Sequence, residues 1–159
     1  MTLASLTTSD WHARAARLRY ETGHFIDGKH VDSAAKGRFT VVNPATGAPL
    51  CEVSAGTGTD VDLAVASGKR AFASRVWSRK APRDRMAVLA AFAQLIDANA
   101  ERFALLDTLC MGKPITDMVA IDVPAAAKNF AFFGELIDKI DGAVTVSYTH
   151  LTLPTILRV

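Results

Sequence analysis

Apolar residues recur along this chain with two different periods, and the change of period divides it. Trp11, Ala15 and Leu18 fall four and three apart, the spacing of one helix face. A first helix is therefore predicted, with Ser9 as its cap and Arg14, Arg17 and Arg19 facing outward. From Phe25 the pattern shortens to extended pairs. Phe25-Ile26 and His30-Val31 flank Asp27-Gly28, which predicts a tight hairpin. Arg38 to Asn43 and Leu50 to Ser54 read as two further strands, joined through Asn43-Pro44-Ala45-Thr46-Gly47. In that join Pro44 fixes its own φ, Asn43 can bond forward to the backbone, and Gly47 tolerates a positive φ.

Beyond Thr57 the period is helical. Thr59 and Asp62 form a capping-box pattern ahead of a stripe of Val61, Ala64, Val65, Gly68 and Phe72. Pro82 suits the first turn of a second helix whose face carries Met86, Leu89, Ala93 and Ile96. Asn99 is placed to cap a third, with Phe103, Leu106 and Cys110 on its buried side and Gly112 at its end, and Pro114 opens the next segment. Pro124 then restarts a helix whose stripe of Ala126, Phe130, Phe133, Ile137 and Ile140 predicts core packing. With no internal repeat or low-complexity linker, the fold class is α/β: short β-strands followed by a layer of packed α-helices.

Composition narrows the possible partners. The chain has 159 residues, 50% apolar and 21% charged, with 18 Lys and Arg against 16 Asp and Glu. A net charge of +2 gives little electrostatic reason to bind nucleic acid or an anionic membrane. No run approaches the ~20 apolar residues that span a bilayer; Lys128 and Asn129 interrupt even Ala125 to Phe133. Cys51 and Cys110 have no metal-ligand or redox spacing, which fits a reducing compartment and makes the cytoplasm the expected location. Three arginines near the start are a presequence-like trait, but an outward helix face accounts for them.

Several blocks go beyond secondary structure. In order they are Phe25-Ile26-Asp27-Gly28-Lys29, Val42 to Gly47, Asp60 to Phe72, Trp77, Arg83 to Ile96, Leu105 to Pro114, Asp122, and Ile137 to Gly142. Together they resemble the start of an NAD(P)-dependent aldehyde dehydrogenase, over about Trp11 to Val144. Asp122-Val123-Pro124-Ala125-Ala126-Ala127 and Glu135-Leu136-Ile137-Asp138-Lys139-Ile140 are most similar to the branch that oxidises gamma-glutamyl-gamma-aminobutyraldehyde and related aminoaldehydes. The resemblance implies that residues 1–146 are the N-terminal portion of an incomplete cofactor-binding domain of the aldehyde dehydrogenase fold. It also implies oxidation of a small aldehyde to a carboxylic acid with NAD or NADP, in a full-length protein that is a homo-oligomer.

In such enzymes a cysteine thiolate attacks the carbonyl, hydride passes to the nicotinamide, and a glutamate activates the water that hydrolyses the thioester. An asparagine side chain and a backbone amide hold the oxyanion. The resemblance places all these groups, and the cofactor loop, beyond the segment present here. No catalytic or cofactor-binding residue is therefore assigned, little cofactor binding is expected of this chain alone, and as given it is expected to be inactive. Helices that cover a larger sheet in the family would leave Phe130, Phe133 and Ile137 uncovered here, so poor solubility is expected too. The alternative is a non-catalytic helical interaction module derived from the same family. Residues 147–159 match nothing expected of the family and read as translated adapter or vector sequence.

Chemistry-bearing residues within the chain mostly have plainer readings. Cys110 lies on an apolar helix stripe without a cationic pattern or a partner His, so it reads as structural. The family commonly has aspartate there, in some members within a monovalent-cation site with backbone oxygens near Val41 and Val42, and cysteine puts that site in doubt. Gly56 and Gly58 precede a helix as in a dinucleotide fingerprint, but Val61 takes the third position. Ser33-Ala34-Ala35-Lys36 has serine-lysine acyl-transfer spacing without its companion motifs. His12, His24, His30 and His150 are scattered, and no metal site is readable. One stretch remains. By resemblance Ile121 and Ala125 line the aldehyde entrance tunnel with Asp122 beside them, where a small Ala125 widens the tunnel and an inward Asp122 favours an amino-bearing substrate; otherwise Ile121 is core and Asp122 caps the following helix.

Overall fold

The computed structural model describes residues 2–141. After a 3₁₀ turn at Leu3–Ser5 come α1 (Thr8–Ala15), β1 (His24–Ile26), β2 (Lys29–Val31), β3 (Arg38–Val42), β4 (Pro49–Ser54), α2 (Gly58–Ser74), α3 (Pro82–Ala98), α4 (Ala100–Met111), α5 (Ile115–Asp117), a π-helical turn (Met118–Asp122) and α6 (Val123–Glu135). The strands form two separate antiparallel ribbons, β1 with β2 and β3 with β4. Asp27 and Gly28 both take positive φ in the first turn, which matches the right-handed twist of the strands they join. In the second, Asn43 Oδ1 accepts from the Ala45 N–H at 2.9 Å and Gly47 has φ 71°. A bulge between Val41 and Val42 shifts the register, so that Val41 faces Cys51 and Val42 faces Pro49.

Both early helix caps lie two residues before their predicted positions. Thr7 rather than Ser9 caps α1, its backbone N–H donating to Asp10 at 2.9 Å while its hydroxyl accepts from the Asp10 N–H at 3.2 Å. Thr57 and Asp60, rather than Thr59 and Asp62, form the capping box of α2. Both pairs have the same spacing, and Asp60 prevails because its carboxylate also receives Ser33 and Ala34 from the loop after β2. Asn99 provides no side-chain cap to α4; its amide donates back to the Leu95 carbonyl at 2.8 Å, leaving α3 and α4 separated by one residue. Arg14 does not simply face solvent, since it pairs with Glu101 of α4.

The last helical segment also differs from its prediction. It does not restart at Pro124 but runs on from α5 through the π turn, with Pro124 in the first turn of α6. Pro124 has no N–H to offer the Ala120 carbonyl, and its ring crowds that carbonyl in a regular α-helix; the wider π turn makes room. The helix then stops at Glu135, where Lys139 Nζ donates to the Glu135 carbonyl at 2.5 Å, closing an orphan acceptor of the last turn. Ile140 is 79% exposed and extends no buried stripe.

The core sits where α3 and α4 meet the π turn and α6. Ile96, Ala104, Met118, Val123 and Ala127 are buried together. Gly134 lets α3 and α6 approach, because a Cβ there would lie 3.1 Å from Leu89 Cβ. Farther along, Phe92 and Phe130 pack edge to face at 4.6 Å. The buried side of α6 is thus Val123, Ala127 and Gly134, and Phe133 is 61% exposed, so the predicted stripe faces partly outward. Phe72 at the end of α2 is 87% exposed. So little buried volume against so much exposed aromatic surface leaves a chain of this size short of stabilising burial. By itself, the 159-residue chain is expected to be polydisperse in size-exclusion chromatography and to show no cooperative thermal transition; a sharp melt of a monomer would contradict this.

Candidate functional site

Ile121 and Ala125 are four residues apart across the junction of the π turn and α6, and both are exposed. Asp122 lies between them in sequence yet turns elsewhere. Its Oδ2 is 2.5 Å from Lys113 Nζ, and it lines an apolar groove of about 250 Å³ with Phe92, Ile96, Phe103, Met118 and Phe130. Asp122 has helical backbone angles and makes no capping bond, so it is not the cap of α6. Its hydrogen bond and charge, with Asp117 and Asp107 nearby, push the Lys113 ammonium above its ordinary pKa. Ile121 is 60% exposed and is no part of the core. Ile121 and Ala125 are thus both exposed, while Asp122 is turned to Lys113.

Lys113 reaches Asp122 because Gly112 ends α4 in the left-handed conformation at φ 76°. A Cβ at Gly112 would also lie 3.0 Å from the Pro44 ring, so glycine is required twice over. Sequence periodicity missed the Lys113–Asp122 pair. The two residues are nine apart across a helix break and a proline, outside the i, i+4 geometry that pairs charges on one helix.

Of the remaining candidates, Ser33, Lys36 and His30 have structural partners. Cys110 is half-buried with a free thiol, and burial, then Cys51 and Asp107, push its pKa up. That is the wrong direction for a nucleophile. Ser33 donates to Asp60 Oδ2 at 2.8 Å, and the Lys36 N–H closes a turn onto the Ser33 carbonyl at 2.9 Å, so the pair serves a loop. Gly58 is the first residue of α2, where a phosphate would need free N–H groups. The Asp60 carboxylate already occupies that end, accepting the Thr57 N–H at 2.8 Å, so the start of α2 does not fit a dinucleotide phosphate. His30 lies 3.9 Å from Glu21 and packs beside Phe25; His150 lies outside the described residues, as does the 147–159 tail. Among the described residues no three His, Cys, Asp or Glu side chains gather as a metal site, and no helix is long and apolar enough to cross a membrane.

Residues 30–158 match the profile of the aldehyde dehydrogenase family. The chain belongs to the aldehyde dehydrogenase family. It is 37% identical over 140 residues to the NADP/NAD-dependent aldehyde dehydrogenase PuuC of Escherichia coli K12, covering 88% of this chain and 28% of that protein. The crystal structure of gamma-glutamyl-gamma-aminobutyraldehyde dehydrogenase from Burkholderia cenocepacia J2315 superposes with a TM-score of 0.87 at 41% identity, over 91% of this chain and 29% of that one. An indole-3-acetaldehyde dehydrogenase complexed with NAD+ superposes with a TM-score of 0.86 at 40% identity, over 90% of this chain and 29% of that one. The architecture is an N-terminal part of the aldehyde dehydrogenase fold, and the chain spans under a third of the length of these relatives.

Proposed function

We propose that residues 1–146 of this aldehyde dehydrogenase chain form the N-terminal portion of the cofactor-binding domain of a cytoplasmic, homo-oligomeric enzyme. That enzyme oxidises a small aldehyde, by preference one bearing an amino group, to its carboxylic acid with NAD or NADP. The observation that carries the reading is the 41% identity to an aminobutyraldehyde dehydrogenase along 91% of this chain, and the similarity to PuuC agrees. The nucleophile and the cofactor site belong to other parts of the longer protein, and this chain alone is inactive.

Within that enzyme the contribution of this chain is the wall of the aldehyde entrance. Ile121 and Ala125 are both exposed, and a neighbouring segment would complete their surroundings into a tunnel. The smallness of Ala125 sets the free width. In the full-length protein, Ala125→Leu is expected to lower kcat/KM for a long or amino-bearing aldehyde about tenfold, since it adds volume to a packed passage, and to spare acetaldehyde. Equal kinetics for both aldehydes would remove the tunnel assignment, and no aldehyde-dependent reduction of either cofactor by the full-length protein would remove the activity. In that last case the helical interaction module becomes the reading.

A further inference from the structure

We propose that Lys113 is a positioning residue for substrate selection, which fixes the phase of the π turn through Asp122 and thereby the direction of Ile121 and Ala125. This rests on the tunnel reading above and adds to it a residue outside the wall.

A π turn contains one residue more than an α-helical turn, and moving it along the helix rotates the residues it passes by about 100°. Pro124 calls for a wider turn nearby but does not choose which residue projects outward. The Lys113–Asp122 contact at 2.5 Å makes that choice. Lys113 is placed by α4 and not by the π turn, since it follows Gly112, which ends α4 at φ 76° and whose N–H donates to the Thr108 carbonyl at 3.1 Å. Asp122 Oδ2 is shielded from solvent and has no hydrogen-bonding partner apart from that ammonium contact. With Lys113 gone, the carboxylate must turn out to water, because a covered, unpaired carboxylate oxygen is costly. With Asp122 no longer tied to Lys113, the π turn is free to shift along the helix, and such a shift redirects Ile121. The same pairing means that Asp122 acts on an amino-bearing substrate through the position of Ile121 and Ala125, because its charge is already matched by Lys113.

The test uses the full-length enzyme with Lys113→Met, Lys113→Arg, Asp122→Asn and Ala125→Leu, each assayed with a long aminoaldehyde, acetaldehyde and NAD+. Lys113→Met is expected to raise KM for the long aldehyde about fivefold, equivalent to about 1 kcal/mol and in keeping with a half-exposed ion pair. Its kcat should stay within about twofold and its KM for NAD+ should not move. Lys113→Arg restores the long-aldehyde KM, and the isosteric Asp122→Asn reproduces the Lys113→Met effect even where the methionine variant folds poorly. An unchanged KM in both Lys113→Met and Asp122→Asn, alongside a responsive Ala125→Leu, overturns the positioning role and leaves the tunnel standing. A joint fall in kcat, NAD+ affinity and melting temperature that arginine does not rescue overturns it as well. If Ala125→Leu itself has no effect, the tunnel reading is what fails.

Discussion

The 159-residue chain, mixed with NAD+ and an aldehyde, is expected to produce no reduced cofactor above the enzyme-free rate, a deficit of at least about 10⁶-fold against the full-length protein. The reason lies in its own thiols. Aldehyde oxidation through a thioester needs a thiolate at neutral pH, and a protein obtains one by placing a cation, a base or a helix N-terminus beside the sulfur. Cys110 has the reverse. It lies in the last turn of α4, and burial, Cys51 and Asp107 all raise its pKa. Tyr20 feels the same surroundings, its phenol pushed up by burial and by both cysteines. Cys51 sits in the β3–β4 ribbon opposite Val41. The check is NADH absorbance with the purified chain and with its Cys110→Ala variant. Turnover that disappears in the variant would show that Cys110 is a nucleophile after all.

In the full-length protein, Asp60→Asn is expected to lower the melting temperature by about 1–3 °C, which differential scanning calorimetry measures. Asp60 is 5% exposed, and its two oxygens have separate work. Oδ1 accepts the Ala34 N–H at 2.9 Å, while Oδ2 accepts the Thr57 N–H, the Thr57 hydroxyl and the Ser33 hydroxyl, each at 2.8 Å. An asparagine amide has one acceptor oxygen, so whichever way it lies its NH₂ faces donors. These bonds, led by the backbone N–H groups of Ala34 and Thr57, hold the Asp60 carboxyl far below the ordinary carboxylate range. The sign for acid stability follows. A pKa depressed by folding stabilises fully above the unfolded-state value of about 4 and is lost as pH falls from there toward the folded-state value. The wild-type advantage over Asp60→Asn should therefore be constant near neutrality and shrink below about pH 4. A gap that stays the same down that range would assign the loss to packing instead of charge.

Local signals that depend on one residue's own geometry were legible in the sequence. Asp27-Gly28 forms the hairpin turn and Gly112 ends α4, both at positive φ, and Pro82 stands in the first turn of α3. Signals that two positions could satisfy equally were not. Thr59 with Asp62 has the same spacing as Thr57 with Asp60, and the choice fell to the carboxylate that Ser33 and Ala34 also engage; Thr7 has Asp10 three residues on, where Ser9 has His12. At the candidate site, Ile121 and Ala125 were singled out by resemblance to the family alone. The placement of Asp122 could not be read from spacing, because helical periodicity assumes 3.6 residues per turn and the π turn breaks that count immediately before Pro124.

The amino-acid sequence by itself determined the family and the order of the strands and the longer helices. These follow from ordered motifs, periodicity and residue type, all of which are local or cumulative along the chain. Tertiary structure alone decided which side of α6 is buried, that Asp60 ties the loop after β2 to the start of α2, and that Lys113 answers Asp122. Each of these depends on groups far apart in sequence or on a broken helical phase. Their energies come from desolvating a charge beside a particular partner, and the partner is known only once the chain has folded.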